Sequence, residues 1–339
     1  ISSITFRTGV IDARNNVTIH APTRYVTNPR PIPSASYEKA LFERKLAELG
    51  LNADFCHRVL DSLPGQFTLA ALRASLADAQ KQARGRDAGT VGAILALAHS
   101  NYEVQFTKEQ PLAERVIFPH SPSQSNGIED ARFVRLRDDD GARAYYATYT
   151  AYDGRVTFPQ LLATKDFLRF KFSTLNGPAV QNKGMALFPR KIRGLYAMLS
   201  RQDNENIHLM YSENLHFWYE SRTILKPARP WEFVQLGNCG SPIETDAGWL
   251  VLSHGVGPMR HYCIGAFLLD RADPAKVIGR LREPLITPNH AEREGYVPNV
   301  VYSCGALLHG RTLVIPYAMS DSASSFATAS LDNILAAME

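Results

Sequence analysis

The chain of 339 residues carries 37 Lys and Arg against 33 Asp and Glu, a net charge of +4 at pH 7, and 45% of its residues are hydrophobic. Those values suit one large β or α/β domain, or two smaller ones, and exclude an intrinsically disordered chain. The basic residues are dispersed rather than clustered, which argues against a dedicated nucleic-acid surface and leaves room for an anionic small ligand.

Residues 1–35 read as an extended segment closed by the Pro-rich break "TNPRPIP". Residues 36–98 change character. "YEKALFERKLAELG" places apolar residues at helical spacing and stops at Gly50, and "TLAALRASLADAQKQARG" and "GTVGAILALAHS" continue the pattern. This region is expected to be an insertion or cap of three or four helices. Its apolar runs are far too short to cross a bilayer. The four cysteines, Cys56, Cys239, Cys263 and Cys304, show no CxxC or zinc-ligand spacing and read as free thiols of a reducing compartment. No metal is expected. The chain starts at Ile1 rather than Met, so the expectation of a cytoplasmic location rests on cysteine usage.

From about residue 99 a β repeat takes over. Four segments share one order: an apolar strand, a turn, a strand rich in Tyr, Leu and Val, then a third strand ending in an Asp/Asn-Leu-type turn. The second strands are "AYYATYTAYDG", "LYAMLSRQD", "WLVLSHGVG" and "LVIPYAMSD". With Tyr146, Tyr196, Leu250 and Val314 as equivalent positions the period is about 50–64 residues, the scale of a four-stranded propeller blade. Residues 99–339 are therefore expected to form an all-β, five-bladed β-propeller. Four blades are legible, and the fifth is expected from strands around "SITFRTGV" and "NYEVQF".

The repeat also locates chemistry, because equivalent strand ends of a propeller converge on one mouth of its channel. The second strands end in Tyr152 with Arg155, in Arg201, in His254, and in Tyr317 with Asp321. One such group reads as a solvated loop residue; four sets at equivalent positions imply a polar, partly cationic pocket. "NGIEDARFV" opens the first legible blade with Glu129, Asp130 and Arg132. In an extended strand adjacent side chains point to opposite faces, so one carboxyl can face the pocket while the other pairs with Arg132.

The motifs "GIEDARFV", "YTAYDG", "NKGMALFPRKIRGLYAML", "GSPIETDAGWLVLSHGV", "LLDRADPAKVIGR" and "EREGYVPNVVYSCGAL", in this order over residues 100–335, resemble glycoside hydrolase family 130, the β-mannoside phosphorylases and β-mannosidases. The helical region 36–98 is no part of that family's compact core. The resemblance implies a five-bladed propeller and makes Asp130 the general acid, acting on the glycosidic oxygen through a mannose hydroxyl. The resemblance further implies that phosphate attacks from the opposite face with inversion, to yield α-mannose 1-phosphate. No cofactor is implied; inorganic phosphate is a co-substrate.

A phosphorylase needs several cationic donors for phosphate, and Arg155, Lys183, Arg201 and His254 are the candidates. Arg132, Tyr152, Glu244, Glu294, Tyr317 and Asp321 are expected to line the substrate site. An inverting hydrolase would instead need a carboxylate base for water, and Glu244 and Glu294 are the available groups. A non-catalytic sugar-binding propeller is the remaining reading. The expected partners are a β-mannoside oligosaccharide and phosphate, with no nucleic acid and no membrane; a homo-oligomer stays open.

Overall fold

A computed structural model describes residues 2–32, 36–83, 87–155 and 157–339. The last residue of the Pro-rich break and residues 84–86, which include the end of the second helical stretch, lie outside the described residues.

Four helices follow the helical period: α1 (Lys39–Glu48), α2 (Ala53–Asp61), α3 (Leu69–Ala83) and α4 (Ala88–His99). Asn52 caps α2 by accepting a hydrogen bond from the Phe55 amide at 3.2 Å. The region also holds a two-stranded sheet, Ser36–Glu38 against Gln66–Thr68, that the helical period conceals. Phe42, Phe55, Leu60, Phe67, Leu72 and Ile94 form a core of their own. Lys45 reaches out of it to donate to the Leu175 carbonyl, and Glu48 accepts from the Gly177 amide.

The remainder is mostly antiparallel β. In the first large sheet the strands lie in the order Arg30–Ile32, Tyr102–Gln105, Arg169–Thr174, Thr157–Thr164, Arg143–Tyr152 and Gly127–Arg137. The second runs Lys183–Leu187, Tyr196–Arg201, Ile207–Ser212, Ser221–Leu225. In the third, Gln235–Asn238 and Ile243–Glu244 both pair with Trp249–Gly257, followed by His261–Leu269 and Val277–Arg280. In the fourth, Val301–Tyr302 and Leu307–His309 pair with Thr312–Met319, followed by Ala323–Ser330. Each repeat of the sequence is thus one sheet, and four apolar cores lie within and between them, around Phe170, Trp218, Trp249 and Leu313.

Two expectations need correction. "NYEVQF" and "SITFRTGV" share no sheet: Tyr102–Gln105 joins the first sheet, whereas Ile4–Thr5 pairs with Val116–Ile117. Strand pairing is non-local, and a four-residue apolar run does not specify its neighbour. The last Asp/Asn-Leu turn is a short helix, Leu331–Ala336, whose amino end is capped by Ser330.

Candidate active site

One strand from each large sheet passes two cavities in the same direction. Asp130, Lys183, Gln235 and Tyr302, at or near the starts of these strands, line a cavity of about 1060 Å³. Arg135 and Arg137, Arg190, Glu244 and Leu308, at or beyond their ends, line a second cavity of about 660 Å³. The two meet at Phe133 and at Gly305–Leu307.

The first strand is not a regular one at the GIED motif. Arg132 stands opposite Thr148 and Glu129 opposite Thr150, so Asp130 and Ala131 together face Tyr149 alone. That is a β-bulge, which re-aims side chains at a sheet edge. Asp130 takes φ +54°, a left-handed conformation that aspartate tolerates better than most residues. The bulge overturns the simple alternation expected there. Asp130 enters the large cavity, as the sequence suggested, but it is also the partner of Arg132: its Oδ2 lies 3.8 Å from Arg132 Nη2. Glu129 has Lys183, Asp130 and Asp321 for neighbours instead. Burial, with Asp130 and Asp321 nearby, raises its pKa against the opposing pull of Lys183.

Tyr302 completes this corner. Arg132 Nη2 donates to the Tyr302 hydroxyl at 2.6 Å, and that hydroxyl donates to Asp130 Oδ2 at 3.2 Å. Burial holds the phenol protonated, its pKa well above the ordinary value. The chain of bonds runs from a fixed cation through a neutral hydroxyl to the carboxylate.

The cationic side of the cavity comes from the second and third sheets. Lys183 and Arg201 are directly opposed across their strands, a repulsive pair in the absence of an anion. Arg201 Nη1 lies 2.9 Å from His254 Nε2. A guanidinium has only donors, so Nε2 accepts and the imidazole carries its proton on Nδ1. His254 is 1% exposed and Arg201 4% exposed. Burial, then the charges of Arg201, Arg132 and Lys183, drive the His254 pKa far below 6.5. Glycines allow this crowding. A Cβ at Gly237 would sit 2.5 Å from His254 Cε1, and one at Gly184, where φ is +89°, would press on Arg201 Cβ at 3.3 Å. Arg201 Nε and Gln235 Nε2 are buried donors without a partner among the described residues.

Asp130, Lys183, Arg201, His254, Tyr317 and Asp321 all line the large cavity, and Arg132 backs Asp130 from a small adjoining pocket. Four expected residues lie elsewhere. Arg155 is exposed in a turn whose Asp153 carboxylate accepts from the Arg155 amide, and Tyr152 donates to the Gly154 carbonyl. Neither lines the large cavity, to which the first sheet contributes Asp130. Glu244 is held by Arg190 and Arg271 in the second cavity, and Glu294 is exposed. Its neighbour Glu292 accepts from Tyr317 instead, at 2.8 Å. Sequence reasoning missed Tyr302, Gln235 and the hairpin Gly9–Ile11/Val17–Ile19, all of which line the large cavity. Tyr302 stands inside the quoted "YVPNVVYSCGAL" motif; the hairpin carries no signal of its role.

The cavity thus joins a half-buried carboxyl, Asp130, to the half-buried Lys183, the buried Arg201 and the neutral, buried His254, a set of groups that suits a neutral ligand and an anion together. The chain belongs to glycoside hydrolase family 130: the family model described as beta-1,4-mannooligosaccharide phosphorylase matches residues 87–339. It is accordingly an enzyme of glycosidic-bond cleavage. It is 36% identical over 230 residues to a 1,2-beta-oligomannan phosphorylase of Thermoanaerobacter sp. (strain X514), covering 66% of this chain and 75% of that protein. It is 34% identical over 240 residues to a beta-1,4-mannooligosaccharide phosphorylase of Ruminococcus albus, covering 66% and 70%. The structure of a beta-1,2-mannobiose phosphorylase from Listeria innocua, in complex with beta-1,2-mannobiose, superposes with a TM-score of 0.59 at 29% identity, over 70% of this chain and 68% of that one.

Proposed function

We propose that this protein is an inverting β-mannoside phosphorylase and that its four large sheets are blades of a five-bladed propeller. The observation that carries the activity is the composition of the cavity around Asp130: Lys183, Arg201 and His254 line it, whereas Glu244 and Glu294 do not. The blade reading is supported by the four first strands and the residues just after them, which in each sheet line the large cavity first and the second cavity later in the chain.

In this reading the mannosyl unit lies between Asp130 and the cations. Phosphate, held by Lys183, Arg201 and His254, attacks the anomeric carbon as the bond to the glycosidic oxygen breaks. The proton for that oxygen originates at Asp130 and passes through a mannose hydroxyl. The products are α-mannose 1-phosphate and the shortened acceptor, and Asp130 is left ionised beside Tyr302 and Arg132, which stabilise it. Tyr317 and Asp321 face the acceptor side. The relatives act on β-1,2 mannosides in one case and on β-1,4 mannosides in the other.

Incubation with β-1,2- and β-1,4-mannobiose, with and without phosphate, tests the proposal. Phosphate-dependent formation of mannose 1-phosphate is expected. Phosphate-independent release of mannose as the sole product would overturn it in favour of hydrolysis, with Asp321 as the cavity carboxylate available to activate water. Absence of turnover together with saturable binding of mannobiose would indicate a sugar-binding protein.

A further inference from the structure

The second cavity holds a concentration of charge that the proposed reaction does not use. Arg135, Arg137, Arg143 and Arg190 line it, with Glu244 as the carboxylate facing them. Glu244 is already engaged, by Arg190 at 2.7 Å and by Arg271 at 3.3 Å. Among the described residues, Arg135, Arg137 and Arg143 make no ion pair. Arg137 and Arg143 are moreover direct cross-strand partners, and like charges so placed destabilise a sheet. Arg190 is brought alongside by a bridge between Arg137 and Arg190, fixed by the Arg137 amide donating to the Pro189 carbonyl at 2.9 Å.

A second, independent feature points the same way. Ser241 lines this cavity, and its hydroxyl is buried with no partner among the described residues. Arg135, Arg137 and Arg143 are exposed to the cavity and to solvent, whereas the Ser241 hydroxyl of the same cavity is a buried group short of a hydrogen-bond partner. The volume is that of a small-molecule pocket rather than of a groove for a polymer, and Tyr145 and Phe133 supply ring faces on its wall.

We propose that this cavity binds a phosphate monoester of a small molecule. The phosphate is held by Arg137 and Arg143 with the Ser241 hydroxyl, and the body of the ligand lies against Tyr145. Guanidiniums match phosphate oxygens in paired hydrogen bonds, and a dianion relieves the repulsion between the two opposed arginines. The site is separate from the catalytic cations and does not depend on the phosphorylase reading.

Isothermal titration with glucose 6-phosphate and with AMP tests it, in the parent protein, in Lys183→Ala and in the double variant Arg137→Ala/Arg143→Ala. At least one of the two probes is expected to bind the parent and Lys183→Ala, with affinity reduced at least tenfold in the double variant. The probe that binds identifies the body, sugar or nucleoside, that the cavity accepts. The unliganded double variant should melt no lower than the parent, which separates lost binding from lost fold; the single exposed-site variant Arg143→Gln carries the same expectation of weakened binding. Binding that persists unchanged in both arginine variants, or no binding of either probe to Lys183→Ala, would overturn the proposal. Turnover of mannobiose in the arginine variants should equal that of the parent, so the catalytic reading is judged separately.

Discussion

Tyr302 and Asp130 are 172 positions apart in sequence and joined by one hydrogen bond, from the tyrosine hydroxyl to Asp130 Oδ2 at 3.2 Å. The same hydroxyl accepts from Arg132, so one neutral group fixes the carboxylate and satisfies a buried cation. Replacing Tyr302 by Phe keeps the ring beside His254, 5.0 Å between centroids, and removes both bonds. We expect kcat to fall roughly 10–100-fold, with a smaller change in the phosphate KM. Leaving the buried Arg132 donor unpaired should also cost about 1–3 kcal/mol of stability. Steady-state kinetics and denaturant melts check this; unchanged kcat would deny Tyr302 any part in positioning Asp130.

Asp130→Asn preserves the shape and the left-handed backbone but has no proton to give. Activity should drop by about two or more orders of magnitude, the usual contribution of general acid catalysis, while mannobiose binding by calorimetry persists. Near-parental turnover would remove Asp130 from the mechanism.

Lys183 faces Arg201 across the strand pair. Lys183→Ala should raise the phosphate KM far more than the mannoside KM, because it removes one charge-assisted donor. It should not lower the melting temperature of the phosphate-free protein, because it also removes a like-charge contact. Equal increases in both KM values would count against Lys183 as a phosphate ligand.

His254 offers a test through pH. Its folded-state pKa lies far below 6.5, so it is neutral in the free protein at neutral pH. A bound phosphate dianion favours the imidazolium and raises that pKa. Binding near pH 7 should therefore take up a proton, measurable as a dependence of the binding enthalpy on the ionisation enthalpy of the buffer. His254→Asn should abolish the effect; identical proton uptake in that variant would assign it to another group.

His216, in the loop after the second sheet's third strand, is pulled down to about 4 by burial and by Lys171. The unfolded chain binds a proton there near pH 6.5 and the folded chain does not until about pH 4. Its contribution is complete above pH 6.5 and is lost as pH falls from 6.5 towards 4. Melting temperatures of the parent should decline across that window, and His216→Gln should flatten part of the decline. A parallel profile in the variant would contradict the assignment.

The β repeat, the helical stretch and the carboxylate of the GIED motif could all be read in advance, because each is a local pattern. Alternation and helical spacing record which face of an element is buried, and Arg201, His254 and Asp321 each lie in or just after the second strand of their repeat. Tyr152 and Arg155, at the end of the first repeat's second strand and just after it, do not line the cavity. Glu244, named as an available base, is held by two arginines that lie 54 residues before it and 27 after it.

What the order of residues could not contain is the third dimension of the GIED corner. One inserted residue in the Gly127–Arg137 strand reverses which groups share a face, and nothing in "GIEDAR" marks a bulge, because the partner strand decides it. The bond from Tyr302 to Asp130, the contact of Arg201 with His254 and the gathering of four arginines in the second cavity all join separate segments of the chain. Such contacts form only after the sheets have packed. Local sequence fixes the faces of strands and helices; the packing of whole sheets decides which charged groups meet.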